Sequence, residues 1–370
     1  MVVRIRISRR KKCFEDEVCH NRWHPDIPPV TSIKPGDVIE LETRDALDYQ
    51  VLDREGVEDL ESMELGVVHP LTGPIYVEGA EPGDLLKVRI LDIKTESFGY
   101  SAILPGFGFL REKFDLFYKV RWYIEKGVAR SPEIPKVKIP GDPFLGVMGV
   151  APSHQLMKVI MERETRLYSE GKTVFLPNPR GAAPPREPIT SEGLRTIPPR
   201  ENGGNMDTRG MSIGSTIYFP IFVEGALFSV GDMHFTQGDG EVCGLAIETG
   251  GVATLEIDLV KEGAKKYGVK SPMYIPSSRS IHRYTRYIAT TGNGVNWDIY
   301  DGENINLSAK SALNNIFNVL ESMGYTREQA YILFSVAGDL RISQAVDVPN
   351  LTVSALLPLD IFEEEPEFIE

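Results

Sequence analysis

Short apolar runs separated by glycine and proline dominate the chain. Its 34 glycines and 26 prolines divide it into segments rich in Val, Ile, Leu, Phe and Tyr, a pattern typical of many short strands. In two places a Pro-Gly-Asp turn, at residues 35–37 and 82–84, leads into alternating apolar and polar positions. Such alternation places one face of a strand in a core, so both segments are predicted to form antiparallel sheet elements of an N-terminal β-rich region.

One helix is predicted between two irregular stretches. Residues 153–170 contain neither Gly nor Pro, begin at Ser153 and are followed by Gly171, which are the signals of a capped helix. Residues 176–199 come next and are rich in Pro and Gly, which predicts a long surface loop.

A pair of helices is predicted near the C-terminus. Ser308 is the expected N-cap of the first helix, whose apolar positions repeat at helical spacing until Gly324. Thr326 and Gln329 form a capping box for a second helix that runs to Val336.

These elements predict an α+β fold that is rich in β. An N-terminal region, residues 1–150, is expected to be β-sandwich-like and to be followed by the helix-plus-loop insertion, residues 151–200. A second β-rich region, residues 201–362, packs with it and carries the helix pair at 308–337. Residues 363–370 are mostly acidic and are predicted to form a solvated tail.

Charge and cysteine content narrow the class of protein. A formal net charge of −13 argues against nucleic-acid binding, which needs a basic surface, and against an anionic membrane surface as partner. Cys13, Cys19 and Cys243 are too few and too irregularly spaced for a disulfide scaffold, which favours a reducing compartment. With neither a signal peptide nor an apolar run long enough to cross a bilayer, we expect a cytoplasmic protein.

The most unusual window in the sequence is residues 231–244. It follows an apolar run at 221–230 that predicts a buried strand, and it holds Asp232 and His234 two positions apart. On an extended segment both side chains point to one face, an arrangement that suits the binding of one metal ion. A Gly-Asp-Gly-Glu run alone is typical of a turn, and a single His beside a strand is more often a hydrogen-bonded core residue. Both interpretations stay open.

Other candidate ligands lie in two further windows. Asp207, within residues 203–210, is a carboxylate at a loop–strand boundary, where ligands are often presented. His20 and His24 are four positions apart, but Pro25 argues against the helix that would place them on one face.

Such residues fit the metal-assisted hydrolysis of an unactivated carbonyl compound, which is a poor electrophile. A metal such as zinc polarises a carbonyl and lowers the pKa of water, and it needs about three protein ligands and an open position. Asp239, Glu241 and Glu248 are the candidate catalytic carboxylates, of which the two glutamates could move the proton from water to the leaving group. The backbone N–H groups of residues 238–240 could stabilise the oxyanion.

Five blocks of the sequence resemble the acetamidase/formamidase family. The window Gly-Asp-Met-His-Phe-Thr-Gln-Gly-Asp-Gly-Glu-Val-Cys-Gly at 231–244 is similar to the signature of that family. The other blocks are residues 20–25, 73–84, 202–207 and 337–344, in the expected order over nearly the whole chain.

The resemblance implies hydrolysis of formamide or acetamide to the acid and ammonia by a β-rich homo-oligomer. It also implies a divalent metal, zinc or alternatively calcium. By this resemblance, Asp207, Asp232 and His234 are the leading candidate metal ligands. Glu241 and Glu248 are the next candidates, and His20 is a weaker one.

The His-Asn-Arg-Trp-His-Pro opening and the segment 153–199 favour the formamidase branch, and that segment could form a lid or an oligomer contact. A small pocket is expected, because formamide offers little surface. Two alternatives stay open. One is an amidase that uses Cys243 as its nucleophile, and the other is a non-catalytic protein that binds small amides on the same scaffold.

Overall fold

A computed structural model describes residues 2–278, 284–296, 299–301 and 303–364. Its helices are α1 (Glu58–Glu61), α2 (His154–Ser169), α3 (Ile189–Glu192), α4 (Gly263–Tyr267), α5 (Ile305–Ser322) and α6 (Arg327–Ala337). Its strands are β1 (Val2–Ile5), β2 (Cys19–His20), β3 (Arg22–Trp23), β4 (Thr31–Ile33), β5 (Asp37–Thr43), β6 (Leu71–Val77), β7 (Leu85–Thr95), β8 (Phe98–Ile103), β9 (Tyr118–Glu125), β10 (Val128–Arg130), β11 (Ile139–Pro140), β12 (Phe144–Gly149), β13 (Leu194–Arg195), β14 (Gly203–Asn205), β15 (Thr216–Pro220), β16 (Phe228–Thr236), β17 (Ile247–Thr249), β18 (Gly251–Val260), β19 (Met273–Ile275), β20 (Tyr287–Gly292), β21 (Val295–Asn296), β22 (Ile299–Tyr300), β23 (Asp339–Gln344) and β24 (Thr352–Pro358). The predicted β-rich α+β class is confirmed.

One sheet has six strands in the order β1-β5-β18-β7-β15-β19. The two strands that follow the Pro-Gly-Asp turns, β5 and β7, lie on either side of β18 and are antiparallel to it. Alternate residues of β18 are buried from Gly251 to Ile257, as a strand with one core face requires. Because β18 lies late in the sequence, this sheet joins distant parts of the chain.

The second sheet has eleven strands, and its main path runs β11-β10-β9-β8-β17-β16-β12-β14. The central strand β16 is buried at every position and pairs with β17, β12 and β6. Its start differs from the predicted one, because the apolar run at 221–230 enters the strand only at Phe228. Ala226 and Leu227 have φ values of 58° and 54° and form a turn before it.

Two apolar clusters hold these layers together. One lies between the sheets and joins Leu41, Val88 and Leu255 of the six-stranded sheet to Phe228 and Val230 of the other. The second cluster packs the helix pair α5 and α6 against the eleven-stranded sheet and includes the buried rings of Trp122, Phe317, Tyr331 and Phe334.

Two of the three predicted N-caps of the long helices are confirmed. Ser153 accepts a hydrogen bond from the Leu156 N–H, and the capping box of Thr326 and Gln329 is formed. The prediction for α5 is wrong by about one turn. Asn304 caps this helix, whereas Ser308 is buried and its hydroxyl donates to the Leu351 carbonyl.

The segment predicted as a surface loop, residues 176–199, is partly ordered and buried. It contains α3 and β13, and β13 pairs with β3. The buried guanidinium of Arg22 donates to the carbonyls of Asn178 and Arg180. The loop therefore wraps around the N-terminal strands, a long-range contact that Pro and Gly content does not reveal.

The cysteine pattern argues against a disulfide scaffold, yet Cys13 and Cys19 are joined by a disulfide. Both are buried and pack against Ala183. Cysteine content therefore no longer supports a reducing compartment. In the part of the chain that the structure describes, no helix has both the length and the apolar character needed to cross a membrane. Residues 365–370 of the predicted acidic tail lie outside the described residues.

The N-cap of α5 can be tested by substitution. Asn304→Ala should lower the free energy of unfolding by about 1 kcal/mol, because the N–H of Leu307 would lose its acceptor at 2.9 Å. Chemical denaturation measures this difference. Asn306→Ala, at an exposed position in the first turn of the same helix, is the matched control and should change stability much less.

Candidate functional site

The centre of the candidate site is His234 on β16. The pairing of β16 with β17 places Glu248 directly opposite His234. His234 Nε2 lies 3.2 Å from Glu248 Oε2 and 3.4 Å from Asp232 Oδ1, and all three residues are buried. The close approach of Glu248 to His234 follows from strand register, and Asp232 reaches the same nitrogen from β16 itself, with a left-handed φ of 54°.

Asp207 reaches the same point from the other side. It follows β14, which pairs with β12, and β12 in turn pairs with β16. Its Oδ1 lies 4.0 Å from His234 Nε2. Gly146 of β12 stands between the two carboxylates, and a methyl group built on it would lie 2.5 Å from Asp207 Oδ1 and 2.6 Å from Asp232 Oδ2. Only glycine leaves room for the carboxylates to converge here.

Glu241 completes the group. One ligand atom each from Asp207, His234 and Glu241 lies within 4.8 Å of the others, and the same holds for Asp232, His234 and Glu248. We call these five residues the carboxylate–imidazole cluster.

Gln237 orients the imidazole. Its amide nitrogen donates to the Asp207 carbonyl at 2.7 Å, so its amide oxygen faces His234 Nδ1 at 2.9 Å. An amide oxygen only accepts hydrogen bonds, which places the proton of a neutral His234 on Nδ1. The lone pair of Nε2 then points at the carboxylates, as in a histidine that binds a metal.

The cluster concentrates negative charge in a buried place. Burial and the charge of Asp232 raise the pKa of Asp207 well above its usual range, and burial and Asp207 do the same to the pKa of Glu241. Burial raises the pKa of Glu248 to about 7. Burial disfavours protonated His234, but the charges of Glu248 and Asp232 outweigh that effect and raise its pKa. The carboxylates therefore favour either bound protons or a positive charge beside them.

Three buried oxygens of the cluster accept no hydrogen bond from the described residues. They are Asp207 Oδ1, Asp232 Oδ1 and Glu248 Oε2, and all three lie within 4.0 Å of His234 Nε2. Buried carboxylate oxygens are normally paired, hydrogen-bonded or bound to a cation. This donor set therefore fits a divalent metal ion.

Two of the predicted site residues lie elsewhere. His20 faces the Arg22 carbonyl through Nδ1 and the Ser229 hydroxyl through Nε2, so both ring nitrogens already have partners and neither is free to bind a metal. Asp239 forms an ion pair with Arg209 at 3.1 Å, and it is not among the residues that line the cavity described below. Sequence proximity grouped these residues with the site, but their side chains have other partners.

Backbone N–H groups of the turn at 238–240 are hydrogen-bonded within the protein and are not free to bind a substrate. The Gly238 N–H donates to the Ser335 carbonyl, and the Asp239 N–H donates to Asp339 Oδ1. The turn is thus packed against the end of α6. Two of the three N–H groups expected to stabilise an oxyanion are therefore already bonded.

Cys243 lacks the surroundings of a nucleophile. Its thiol is buried and faces the carbonyls of Leu245 and Ala102, and burial raises its pKa to about 12. A nucleophilic cysteine needs a lowered pKa and a nearby cation. Neither lysine nor arginine is among the described residues that line the cavity.

One residue of the site, His69, has no recognisable signal in the sequence. It is buried, it lines the same cavity as Asp232, and its Nδ1 has no hydrogen-bond partner among the described residues. Burial lowers the pKa of His69, so the ring is neutral near pH 7. The residue stands alone in the sequence, between Val68 and Pro70, without a motif that would mark it.

The cluster opens onto a cavity of about 580 Å³. Asp207, Asp232, Glu241 and Glu248 form part of its wall, and most of the remaining wall is apolar. The predicted small pocket is therefore wrong. The size of the pocket depends on how loops from distant parts of the chain pack together. A local sequence pattern carries no information on that packing.

A buried group of carboxylates and an imidazole on the wall of a cavity is an arrangement that hydrolytic enzymes use. Comparisons with known proteins name the kind of hydrolase. The model of the Acetamidase/Formamidase family matches residues 6–364. A formamidase from Methylophilus methylotrophus is 35% identical and aligns with 97% of this chain and 93% of its own length. An acetamidase from Mycolicibacterium smegmatis is 38% identical, over 86% of this chain and 85% of its own length.

The solved structure of a gamma lactamase from Delftia acidovorans superimposes with a TM-score of 0.94 at 34% identity, covering 99% of this chain and 94% of that one. The chain belongs to the acetamidase/formamidase family. The resemblance drawn from the sequence blocks is confirmed, and so is the prediction of an enzyme that hydrolyses short amides.

The structural role of His20 predicts a dependence of stability on pH. Burial lowers its pKa from 6.5 to about 4, so below pH 6.5 the unfolded chain binds a proton that the folded protein excludes. Stability should fall as the pH drops from 6.5 towards 4, by roughly 3 kcal/mol from this residue.

Denaturation at a series of pH values measures this loss. His20→Gln should show a shallower fall than the wild-type protein, whereas His154→Gln, at an exposed histidine, should follow the wild type. Equal slopes for all three proteins would contradict the account.

A second prediction concerns the thiol. Cys243→Ser should keep most of the ammonia-releasing activity, because the hydroxyl can make the same hydrogen bonds to the backbone. Loss of nearly all activity in a variant that stays folded by circular dichroism would instead support a thiol nucleophile.

Proposed function

We propose that this enzyme hydrolyses the C–N bond of primary amides with the help of a divalent cation, zinc, held by the carboxylate–imidazole cluster. The observation that carries the proposal is the arrangement of three buried oxygens without hydrogen bonds around His234 Nε2. The room beside Gly146 supports it. An imidazole ligand favours zinc over calcium, which prefers oxygen ligands alone.

A cation bound there would polarise the amide carbonyl and lower the pKa of a water molecule. The protein would hold the ion through Asp207, Asp232, His234 or Glu248, and it would keep one position open on the cavity side. His234 is positioned for this role by its hydrogen bond to Gln237.

Glu241 is the residue we assign to proton transfer. It lines the cavity and is only partly buried, whereas one oxygen of Glu248 already accepts from the Ala246 N–H at 2.8 Å. Glu241 takes the proton of the attacking water as the new C–O bond forms. It then gives that proton to the amide nitrogen as the C–N bond breaks, so that ammonia and the carboxylic acid leave.

His69 is the residue we assign to the substrate carbonyl. Its Nδ1 has no partner among the described residues and the ring lines the cavity next to Asp232. A neutral imidazole can donate one hydrogen bond. His69 therefore replaces the turn at 238–240 as the group proposed to stabilise the oxyanion.

The names of the relatives bear on the substrate. They include a formamidase, an acetamidase and a gamma lactamase, and all three names denote cleavage of an amide C–N bond. We therefore propose a carboxamide as substrate without restriction to formamide.

We also propose that the enzyme is a homo-oligomer in the cytoplasm. The hairpin of β23 and β24 supports an interface, because Ile342, Val346 and Val348 are more than half exposed and exposed apolar groups of this kind often mark contacts between subunits. The mass of the purified enzyme in solution tests this assembly.

The acidic composition is compatible with a cytoplasmic location, which fractionation of the cells tests.

The assignment of Glu241 is tested against a nearby carboxylate. Glu241→Gln should lower kcat for ammonia release by about 10²–10⁴, because glutamine cannot move the proton. Asp239→Asn, outside the cluster, is the matched control and should keep most of the activity. A similar loss in both variants, or in neither, would contradict the assignment.

A further inference from the structure

The cavity is far larger than the smallest amides need. Formamide has three non-hydrogen atoms, whereas the cavity volume of about 580 Å³ corresponds to roughly twenty water molecules. It falls within the range of pockets that enclose drug-sized ligands. A substrate as small as formamide would leave most of this space filled by water.

Most of the wall outside the cluster is built from apolar side chains. They come from separate parts of the chain, and they include Leu47, Leu60, Val68, Leu104, Phe107 and Phe117. Neither lysine nor arginine contributes to the described wall. Such a surface cannot pair with a charged or strongly polar ligand, but it gains free energy when it covers an apolar group.

The segment 151–200 closes one side of this space. Phe175 and Ile197 belong to it and line the cavity, and both are partly buried. Glu61, Gly106 and Thr173 also line the cavity and are exposed, so its mouth lies near these three residues. The cavity therefore runs from solvent, past apolar side chains, to the carboxylate–imidazole cluster.

We propose that this cavity is an acyl-binding pocket and that the preferred substrates are primary amides with an apolar acyl group of several carbons. The proposal rests on the amide hydrolysis proposed above and specifies its substrate class. The amide group lies at the cluster, and the acyl chain extends along the wall formed by Leu60, Phe107 and Phe117. Each methylene buried there should raise kcat/KM by about fourfold until the cavity is filled.

The test is ammonia release by the wild-type enzyme from formamide, acetamide, butanamide and hexanamide. A steady rise of kcat/KM with chain length supports the pocket. A flat or falling series, with formamide or acetamide best, overturns the pocket and leaves the proposed function intact. Release from none of the amides, by protein supplied with zinc, would overturn the proposed function itself.

A substitution in the wall gives an independent measurement. Ile197→Phe should fill part of the cavity and lower the ratio of kcat/KM for hexanamide to that for acetamide by about tenfold or more. Ile213→Phe is the matched control, because Ile213 is also partly buried but packs in the core between the sheets, and it should leave the ratio unchanged. An unchanged ratio in folded Ile197→Phe would overturn the proposal. If that variant does not fold, the wild-type series decides alone.

Discussion

The site depends on one electrostatic constraint, the crowding of four buried or partly buried carboxyl groups around a single imidazole. Asp207, Asp232, Glu241 and Glu248 meet His234 at the wall of the cavity, and neither lysine nor arginine is among the described residues that line it. Buried anions at such distances repel one another and lose hydration, so they must bind protons or gather around a cation. The pKa values of three of the carboxyl groups are raised for this reason. The same demand makes the cluster a good place to activate water beside an amide carbonyl.

The fold meets this constraint by means of strand order. The strand order β17-β16-β12-β14 brings Glu248, His234 and Asp207 to one point of the eleven-stranded sheet. Gly146 leaves the space that their side chains fill. The six-stranded sheet and the helix pair pack on this sheet and bury both faces of β16 in two apolar clusters. Segments within residues 46–117 and 173–197 then build a largely apolar cavity beside the cluster.

The sequence alone was sufficient for the family, the β-rich class and the placement of Asp232 and His234 on one buried strand, because these depend on local pattern. The spacing of Asp232 and His234 on a strand, and the caps at Ser153 and Thr326, are short-range features. What it could not reveal depends on long-range packing. His20 is four residues from His24 and belongs to a family block, yet its ring is bonded to Arg22 and Ser229. The neighbours of His69, the role of Gly146 and the volume of the cavity follow from contacts between segments far apart in the chain.

The central claim is that the cluster binds a divalent cation, and the most direct measurement is the binding of Zn²⁺ to the chelator-stripped protein, by calorimetry, in the wild type and in Gly146→Ala. The account predicts about one tightly bound ion per chain in the wild type and much weaker binding in the variant, whose methyl group would meet the oxygens of Asp207 and Asp232. Equal binding by both proteins, or no binding by the wild type while it still releases ammonia from an amide, would contradict it.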